Sequence, residues 1–149
     1  MSYTYWIDRD FEAVKTAATY TDLFAVAEQI LHRMPRPRAQ VCGPITTGGA
    51  GSVEANLRRF DRAVTLLEKE GVGVFDQVPF EATMQRLKTL LEGEKYSMKL
   101  LEDFYLPIFE KHLVDRLYFL PDWQSSTGAR WEHQQASRLG LEIMYLVEV

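Results

Sequence analysis

Hydrophobic residues fall along the chain in short apolar runs separated by longer stretches with helical spacing. The runs are typical of strands, and those at Ala39 to Cys42 and Leu117 to Leu120 indicate buried ones. The runs are Ala39 to Cys42, Val72 to Phe75, Val114 to Leu120 and Glu142 to Val147. The stretches between them repeat apolar residues every three or four positions, as one face of a helix does. This alternation predicts an α/β fold, a doubly wound and mainly parallel sheet of four to five strands that is flavodoxin- or Rossmann-like.

The residues before the first strand predict a separate helical segment. Residues 9–34 have helical spacing, and Thr21 or Asp22 is a suitable N-cap where the segment divides into two helices. Pro35 and Pro37 then end the second helix. We therefore expect an N-terminal helical extension at residues 1–37 and an α/β domain at residues 38–149. The extension is an extra layer, a dimer element or a lid, and the sequence does not choose among them.

Within the α/β domain, serine, glycine and proline residues indicate where the predicted helices begin and end. Ser52 is expected to cap a helix that ends at Gly71, and residues 80–91 form the next. A further helix runs from Ser97 toward His112, with a kink or a first-turn proline at Pro107. The last helix follows the third strand and ends at Gly140.

The composition and charge of the chain argue against nucleic-acid and membrane partners. The 149 residues suit one domain, and a net charge of −4 gives no electrostatic reason for binding nucleic acid or an anionic membrane. No apolar run approaches the length of a membrane span, and the N-terminus does not have the pattern of a secretory signal. A single cysteine, Cys42, fits an inert core position in a reducing compartment, so we expect a cytoplasmic protein.

Three polar, flexible segments follow the carboxyl ends of predicted strands. They are residues 43–51, 76–79 and 121–128. In a doubly wound sheet ligands bind at this edge, where the strand order reverses. The first segment is rich in glycine and hydroxyl groups, so its backbone can approach a ligand and donate N–H groups. It matches neither a nucleoside-triphosphate loop nor a dinucleotide fingerprint.

The stretch from Asp122 to Glu132 is a predicted strand-to-helix turn. Its serines and threonine suit an N-cap, and the free N–H groups of the first helical turn can hold an anion. Glu132 follows Gly128 and Ala129 at helical spacing, which leaves open space beside its carboxylate. The alternative is that these two small residues only let the helix pack closely on the sheet.

Carboxylates are the candidate catalytic groups, because the sequence offers neither a serine nucleophile nor a metal site. The sequence has no serine nucleophile elbow, its three histidines are scattered, and no His or Cys pair has metal-ligand spacing, so we expect no metal and no cofactor. Glu132 remains, with Asp103, Asp122 and Asp76 as candidate partners.

These residues resemble the nucleoside 2-deoxyribosyltransferase-like superfamily, over roughly residues 39–147. The resemblance rests on Gly43-Pro44-Ile45, on Asn56 and Phe60, and on the segment from Leu120 to Gly140 that holds Ser126, Gly128 and Glu132. It is closest to a small bacterial and phage branch and to the nucleotide N-glycosidases. The N-terminal helical segment lies outside it.

The resemblance implies cleavage of an N-glycosidic bond in a nucleoside or its 5′-monophosphate, with Glu132 as the nucleophile. It also implies that Ser126 contacts sugar or phosphate, that Asp103 acts on the leaving base, and that the protein forms a homodimer or a higher homo-oligomer. The expected catalytic residues are Glu132, Asp103 and Asp122. The expected substrate-binding residues are Gly43, Pro44, Ile45, Thr46, Thr47, Asn56, Asp76, Gln77, Trp123, Ser125, Ser126, Gly128 and Ala129.

The physics is compatible with these implications, because a carboxylate can stabilise or trap an oxocarbenium-like sugar while a second acid helps the base leave. A chain that ends soon after its fourth strand favours water over a second base as acceptor. The alternatives are a transferase, a catalytically silent nucleotide sensor, and a structural protein whose N-terminal helices form an interface. An ion pair of Glu132 with Arg130 or Lys99 would indicate a structural role.

Overall fold

A four-stranded parallel sheet forms the centre of the protein. The structure is a computed structural model that describes residues 3–46, 48–93 and 98–149. The strands lie in the order β2-β1-β3-β4, and every pair is parallel. Their bounds are Arg38–Cys42 (β1), Gly73–Val74 (β2), Arg116–Phe119 (β3) and Glu142–Tyr145 (β4). The predicted doubly wound α/β fold is therefore confirmed.

The helices connect these strands and precede the first one. Their bounds are Asp8–Thr16 (α1), Tyr20–Arg33 (α2), Val53–Lys69 (α3), Glu81–Glu92 (α4), Met98–Leu100 (α5), Leu106–Glu110 (α6) and Thr127–Leu139 (α7). Short 3₁₀ turns at Val78–Phe80 and Trp123–Ser125 lead into α4 and α7. Ser52 caps α3 as expected, since its hydroxyl accepts the Ala55 N–H at 3.1 Å.

Alternating side chains of the sheet pack on two hydrophobic clusters. Ala39 and Val41 of β1 pack with α3 on one face, where Phe60 and Leu67 are buried. On the other face Cys42 packs with α2, α4, α6 and α7. Because α1 and α2 contribute buried residues to this second cluster, they form a packed layer over the sheet rather than a detached extension.

Two helix boundaries differ from the sequence expectation. The N-cap of α2 is Thr19, whose hydroxyl accepts the Asp22 N–H at 3.0 Å, so the expected caps at Thr21 and Asp22 were wrong by two or three residues. Asp22 instead accepts the Ala18 N–H and closes the turn before the helix. The predicted start of the next helix, Ser97, lies outside the described residues. In its described part a π-helix at Leu101–Tyr105 separates α5 from α6, and Pro107 lies in the first turn of α6.

The strand order fixes where a ligand can bind. The chain moves outward from β1 to β2 and then crosses to β3 and β4, so the order reverses between β1 and β3. In parallel sheets the crevice beyond the carboxyl ends at this switch point is the usual ligand site. Across the described ranges, none of the helices is long and apolar enough to cross a membrane.

Candidate functional site

A cavity of about 80 Å³ lies beyond the carboxyl end of β1, at the switch point. Its walls come from the loop after β1, from the first turn of α7, and from α4 with the π-helix. The predicted site residues that line it are Gly43, Ile45, Thr46, Gln77, Ser126, Gly128, Ala129 and Glu132; its remaining lining residues are Glu81, Met84, Gln85, Lys88, Leu100, Leu101 and Tyr105. The structure thus brings together segments that are distant in sequence around the Glu132 carboxyl.

Glu132 is buried, and hydrogen bonds from the sheet hold its carboxyl. Its side chain is 5% exposed, and its Oε2 accepts the Gln40 Nε2 donor at 3.1 Å. The Cys42 thiol also hydrogen-bonds to this carboxyl. No Lys or Arg among the described residues pairs with it, because Arg130 bonds to Gln124 and Lys99 lies beside Asp103. The ion pair that would indicate a purely structural role is thus absent from the described part of the chain.

Burial controls the protonation of Glu132. It raises the pKa of the carboxyl to about 8, the hydrogen bonds from Cys42 and Gln40 act in the opposite direction, and the charge of Glu81 raises the pKa further. The pKa of the Cys42 thiol is also raised well above its ordinary value, first by burial and then by the Glu132 charge. Cys42 therefore stays a neutral hydrogen-bond donor, as the sequence predicted for an inert core cysteine.

Glu81 is a second carboxyl in the cavity, and the sequence did not single it out. It begins α4, is 7% exposed, and has a pKa that burial raises to about 7 against a hydrogen bond from Gln85. A signal for it existed, since Glu81 lies three residues before Met84 and six before Leu87, on the buried stripe of α4. A charged residue on such a stripe needs a partner or a function.

The glycine-rich loop after β1 is fixed by Asn56 and Ser125. The Asn56 amide donates to the Ile45 and Gly48 carbonyls at 2.9 and 3.3 Å, and its Oδ1 accepts the Ala50 N–H at 2.8 Å. Ser125 Oγ accepts the Gly49 N–H at 3.0 Å and donates to the Asp122 carbonyl. These contacts hold the loop against the turn that precedes α7.

Glycine is required at two positions of this loop. Gly48 and Gly49 have φ of +70° and +69°. A Cβ on Gly48 would lie 2.4 Å from the Ser125 carbonyl oxygen, and one on Gly49 would lie 2.5 Å from Asn56 Oδ1. Both the backbone conformation and the close packing therefore exclude a side chain.

A second depression of about 420 Å³ adjoins the first. It is lined by the same loop, by the first turn of α3 with Ser52 and Val53, and by Asn56 and Ser125. Ile45 and Thr46 line both spaces. Ligand pockets usually measure about 300–1,000 Å³, so a ligand with two parts can span the pair while the 80 Å³ cavity alone holds a small group.

Ser126 begins α7 beside the cavity. Its hydroxyl accepts the Ala129 N–H at 3.1 Å, which is the N-cap bond that the sequence predicted, and its side chain is buried. Gly128 is half-buried and Ala129 buried, and both line the cavity near Glu132. The small residues therefore leave the space beside the carboxyl that their spacing suggested.

Two expected catalytic residues lie away from the cavity. Asp103 is in the π-helix, 38% exposed, with its carboxylate 3.8 Å from Lys99 Nζ. Asp122 forms an ion pair with Arg59 at 2.7 Å, and the hydrogen bond from Arg59 lowers its pKa. Neither residue lines the cavity, and Asp122 instead ties the turn before α7 to α3.

The remaining expected residues occupy other surroundings. Trp123 stacks on His133 with ring centroids 4.3 Å apart and does not line the cavity. Asp76 is buried, accepts the Val78 N–H, and lines a separate cavity beside β2. Pro44 is buried against Gly49, and Thr47 lies outside the described residues.

The cavity holds two buried carboxyls, and among the described residues neither forms an ion pair with a basic side chain, although Lys88 also lines the cavity. Such a pair can hold one proton between them, which is the arrangement needed for acid and nucleophile or acid and base roles. In the part of the chain that the structure describes, no group of three or more His, Cys, Asp or Glu residues is placed to hold a metal ion.

Comparison with known proteins gives one family. The model of a family described as a domain of unknown function (DUF4406) matches residues 38–145, which begin at β1 and end with β4. No curated protein and no solved structure matches the chain.

Proposed function

Because the chain belongs to the DUF4406 family, whose description names no activity, we propose a function from the site itself: cleavage of the N-glycosidic bond of a nucleoside 5′-monophosphate or nucleoside. The carrying observation is the buried Glu132 carboxyl, which lacks a described cationic partner and shares a cavity with Glu81 and the loop after β1. The resemblance to the nucleoside 2-deoxyribosyltransferase-like superfamily supports the same reaction.

Glu132 is the proposed nucleophile. Gln40 and Cys42 donate hydrogen bonds to its carboxyl, and such bonds stabilise the anionic form. The carboxylate attacks the anomeric carbon as the bond to the base breaks and the electron pair of that bond moves to the base nitrogen. A glycosyl ester on Glu132 results, and water then hydrolyses it to the free sugar and restores the carboxylate.

Glu81 is the proposed acid that protonates the leaving base. It faces the same cavity from α4, and its raised pKa keeps a proton on it near neutral pH. The positive charge that develops on the sugar beside Glu132 lowers the pKa of the nearer carboxyl. In the free protein the pKa of Glu132 is the higher of the two, so the reaction requires that the proton leaves Glu132 and that Glu81 carries one when the base departs.

The second depression is the proposed phosphate site. The glycine-rich loop and the first turn of α3 line it, and backbone N–H groups in such segments bind anions. The N–H groups of Gly49, Ala50 and Ala55 are already bonded within the protein, so a phosphate depends on the other N–H groups of these segments. A 5′-phosphate in that position leaves the sugar near Ile45 and Thr46, between the two spaces. A nucleotide is thus favoured over a nucleoside.

A second candidate function is a nucleotide sensor without catalysis. The small volume of the cavity beside Glu132 favours it, because a bound nucleotide would have to enlarge the space before the carboxyl reached the sugar. The glycosidase is preferred because a sensor has no need for two buried carboxyls with raised pKa values, and such groups are typical of catalytic sites.

The test is release of free base from a panel of nucleosides and 5′-monophosphates, measured by chromatography. We expect base release by the wild-type protein and its loss in Glu132→Gln. Glu81→Gln should lose activity on ordinary nucleotides but keep it on 7-methyladenosine 5′-monophosphate, whose cationic base leaves without protonation.

The matched control is Glu102→Gln, which changes an exposed glutamate within the π-helix that contributes to the cavity wall. It should release base at the wild-type rate. Binding of nucleotides with no base release by any protein would support the sensor instead. Equal release by wild type and Glu132→Gln would contradict the nucleophile assignment.

A further inference from the structure

Gln77 lines the cavity with an unpaired buried group. Its side chain is 4% exposed, and its Oε1 is buried with no hydrogen-bond partner in the described part of the chain. A buried acceptor without a donor is unfavourable, and native proteins satisfy most such groups. An unpaired carboxamide oxygen at a cavity is therefore a position that a bound molecule can satisfy.

Gln77 lies beside the proposed acid. It precedes the 3₁₀ turn at Val78–Phe80 and is four residues before Glu81, so the two side chains belong to the same wall. A base in the cavity can therefore contact both the Glu81 carboxyl and the Gln77 carboxamide. Gln85, on the following turn, is already engaged with the Glu81 carboxyl.

The surrounding wall is suited to a flat heterocycle. Met84, Leu101 and Tyr105 give one part of the cavity an apolar and aromatic surface, and polar side chains that include Gln77, Glu81 and Lys88 lie beside it. Ligand sites commonly combine such walls with a small number of placed polar groups that give specificity. The base of the proposed substrate fits this wall better than its sugar or phosphate.

We propose that Gln77 determines base specificity by accepting a hydrogen bond from an exocyclic amino group of the base. Adenine and cytosine carry such a group beside a ring nitrogen that can take a proton, whereas guanine, hypoxanthine and uracil carry an oxygen there. An oxygen would face the Gln77 Oε1 as a second acceptor, which disfavours binding. The inference rests on the proposed function for the identity of the ligand.

Binding experiments test this inference independently of turnover. The Glu132→Gln protein is titrated by calorimetry with adenosine, inosine, cytidine and uridine 5′-monophosphates and with ribose 5-phosphate. We expect each amino nucleotide to bind about 5- to 150-fold more tightly than its oxo partner, the range of a good base contact. Adding Gln77→Met should remove this ratio and leave the affinity for ribose 5-phosphate unchanged.

Two further proteins complete the comparison. Gln77→Ala, also in the Glu132→Gln protein, serves if the methionine variant does not fold. Gln124→Leu, a change at an exposed glutamine, should keep the full ratio. An amino-to-oxo ratio near one, or a ratio that survives both Gln77 changes, overturns the role of Gln77 while nucleotide binding stands. Absence of binding to every nucleotide and to ribose 5-phosphate overturns this inference together with the proposed substrate class.

Discussion

The buried carboxyl of Glu132 should make the protein less stable as pH rises. In the unfolded chain an ordinary glutamate loses its proton near pH 4.5, whereas the folded protein keeps it until the pKa of about 8. Between these values the folded state binds more protons than the unfolded state, so the free energy of unfolding falls with increasing pH. Below pH 4.5 and above pH 8 this carboxyl no longer makes the free energy of unfolding depend on pH.

The magnitude follows from the pKa difference. A pKa difference of one unit corresponds to about 1.4 kcal/mol. The rise of the Glu132 pKa from 4.5 to about 8 therefore lowers the free energy of unfolding by on the order of 5 kcal/mol across this pH range. This is an upper limit, because water that enters the cavity lowers the cost of the charge. Small proteins unfold with about 5–15 kcal/mol, so the effect is large enough to measure.

Urea denaturation of wild type, Glu132→Gln and Glu102→Gln at pH 5, 6.5 and 8 is the assay. Wild type should lose stability between pH 5 and 8, and Glu132→Gln should lose much less because its amide does not ionise. Glu81, whose pKa is about 7, causes a smaller loss of stability below pH 7, and wild type and Glu132→Gln share this loss. Parallel curves for wild type and Glu132→Gln would refute the reasoning, while Glu102→Gln should follow wild type.

Three further predictions concern the site. Gly49→Ala should destabilise the protein by at least about 1 kcal/mol and weaken nucleotide binding, because its Cβ meets Asn56. Gly51→Ala, with φ +93° and open space, should lose only the stability that the left-handed backbone costs. Urea denaturation and calorimetry measure both variants. Gln40→Leu should lower the rate of base release about tenfold or more, as loss of a hydrogen bond to a charged group does, and move the pH optimum upward; an unchanged pH–rate profile would count against it. Asp103→Asn should release base at the wild-type rate, and a large loss would return Asp103 to the mechanism.

The fold was predictable from the sequence because its signals are local. Apolar runs mark β1 and β3, and the glycine-rich segment after Cys42 marks the loop at the carboxyl end. Ser52 and Ser126 cap the helices that the sequence placed after them. The convergence of Gly43, Ser126 and Glu132 then follows from parallel strands, whose carboxyl ends share one edge.

The proposed acid, Glu81, was not predictable in the same way. The resemblance implied that Asp103 acts on the leaving base, but in the π-helix its carboxylate lies beside Lys99. The local sequence pattern did not predict a π-helix. Glu81 looks like an ordinary first-turn glutamate until α4 packs over the cavity. Trp123 was expected among the substrate-binding residues, yet its ring stacks on His133, which lies ten residues later and is brought to it by the turn before α7. Dimerisation stays a prediction.

The central claim is that the Glu132 carboxylate faces an anomeric carbon. Intact-mass spectrometry after rapid acid quenching of the protein with a cleaved nucleotide tests it most directly, followed by peptide mapping. The account predicts an added sugar phosphate, without the base, on the peptide that contains Glu132, and no adduct in Glu132→Gln. Base release that proceeds with the adduct on another residue, or that continues at full rate in Glu132→Gln, would contradict it.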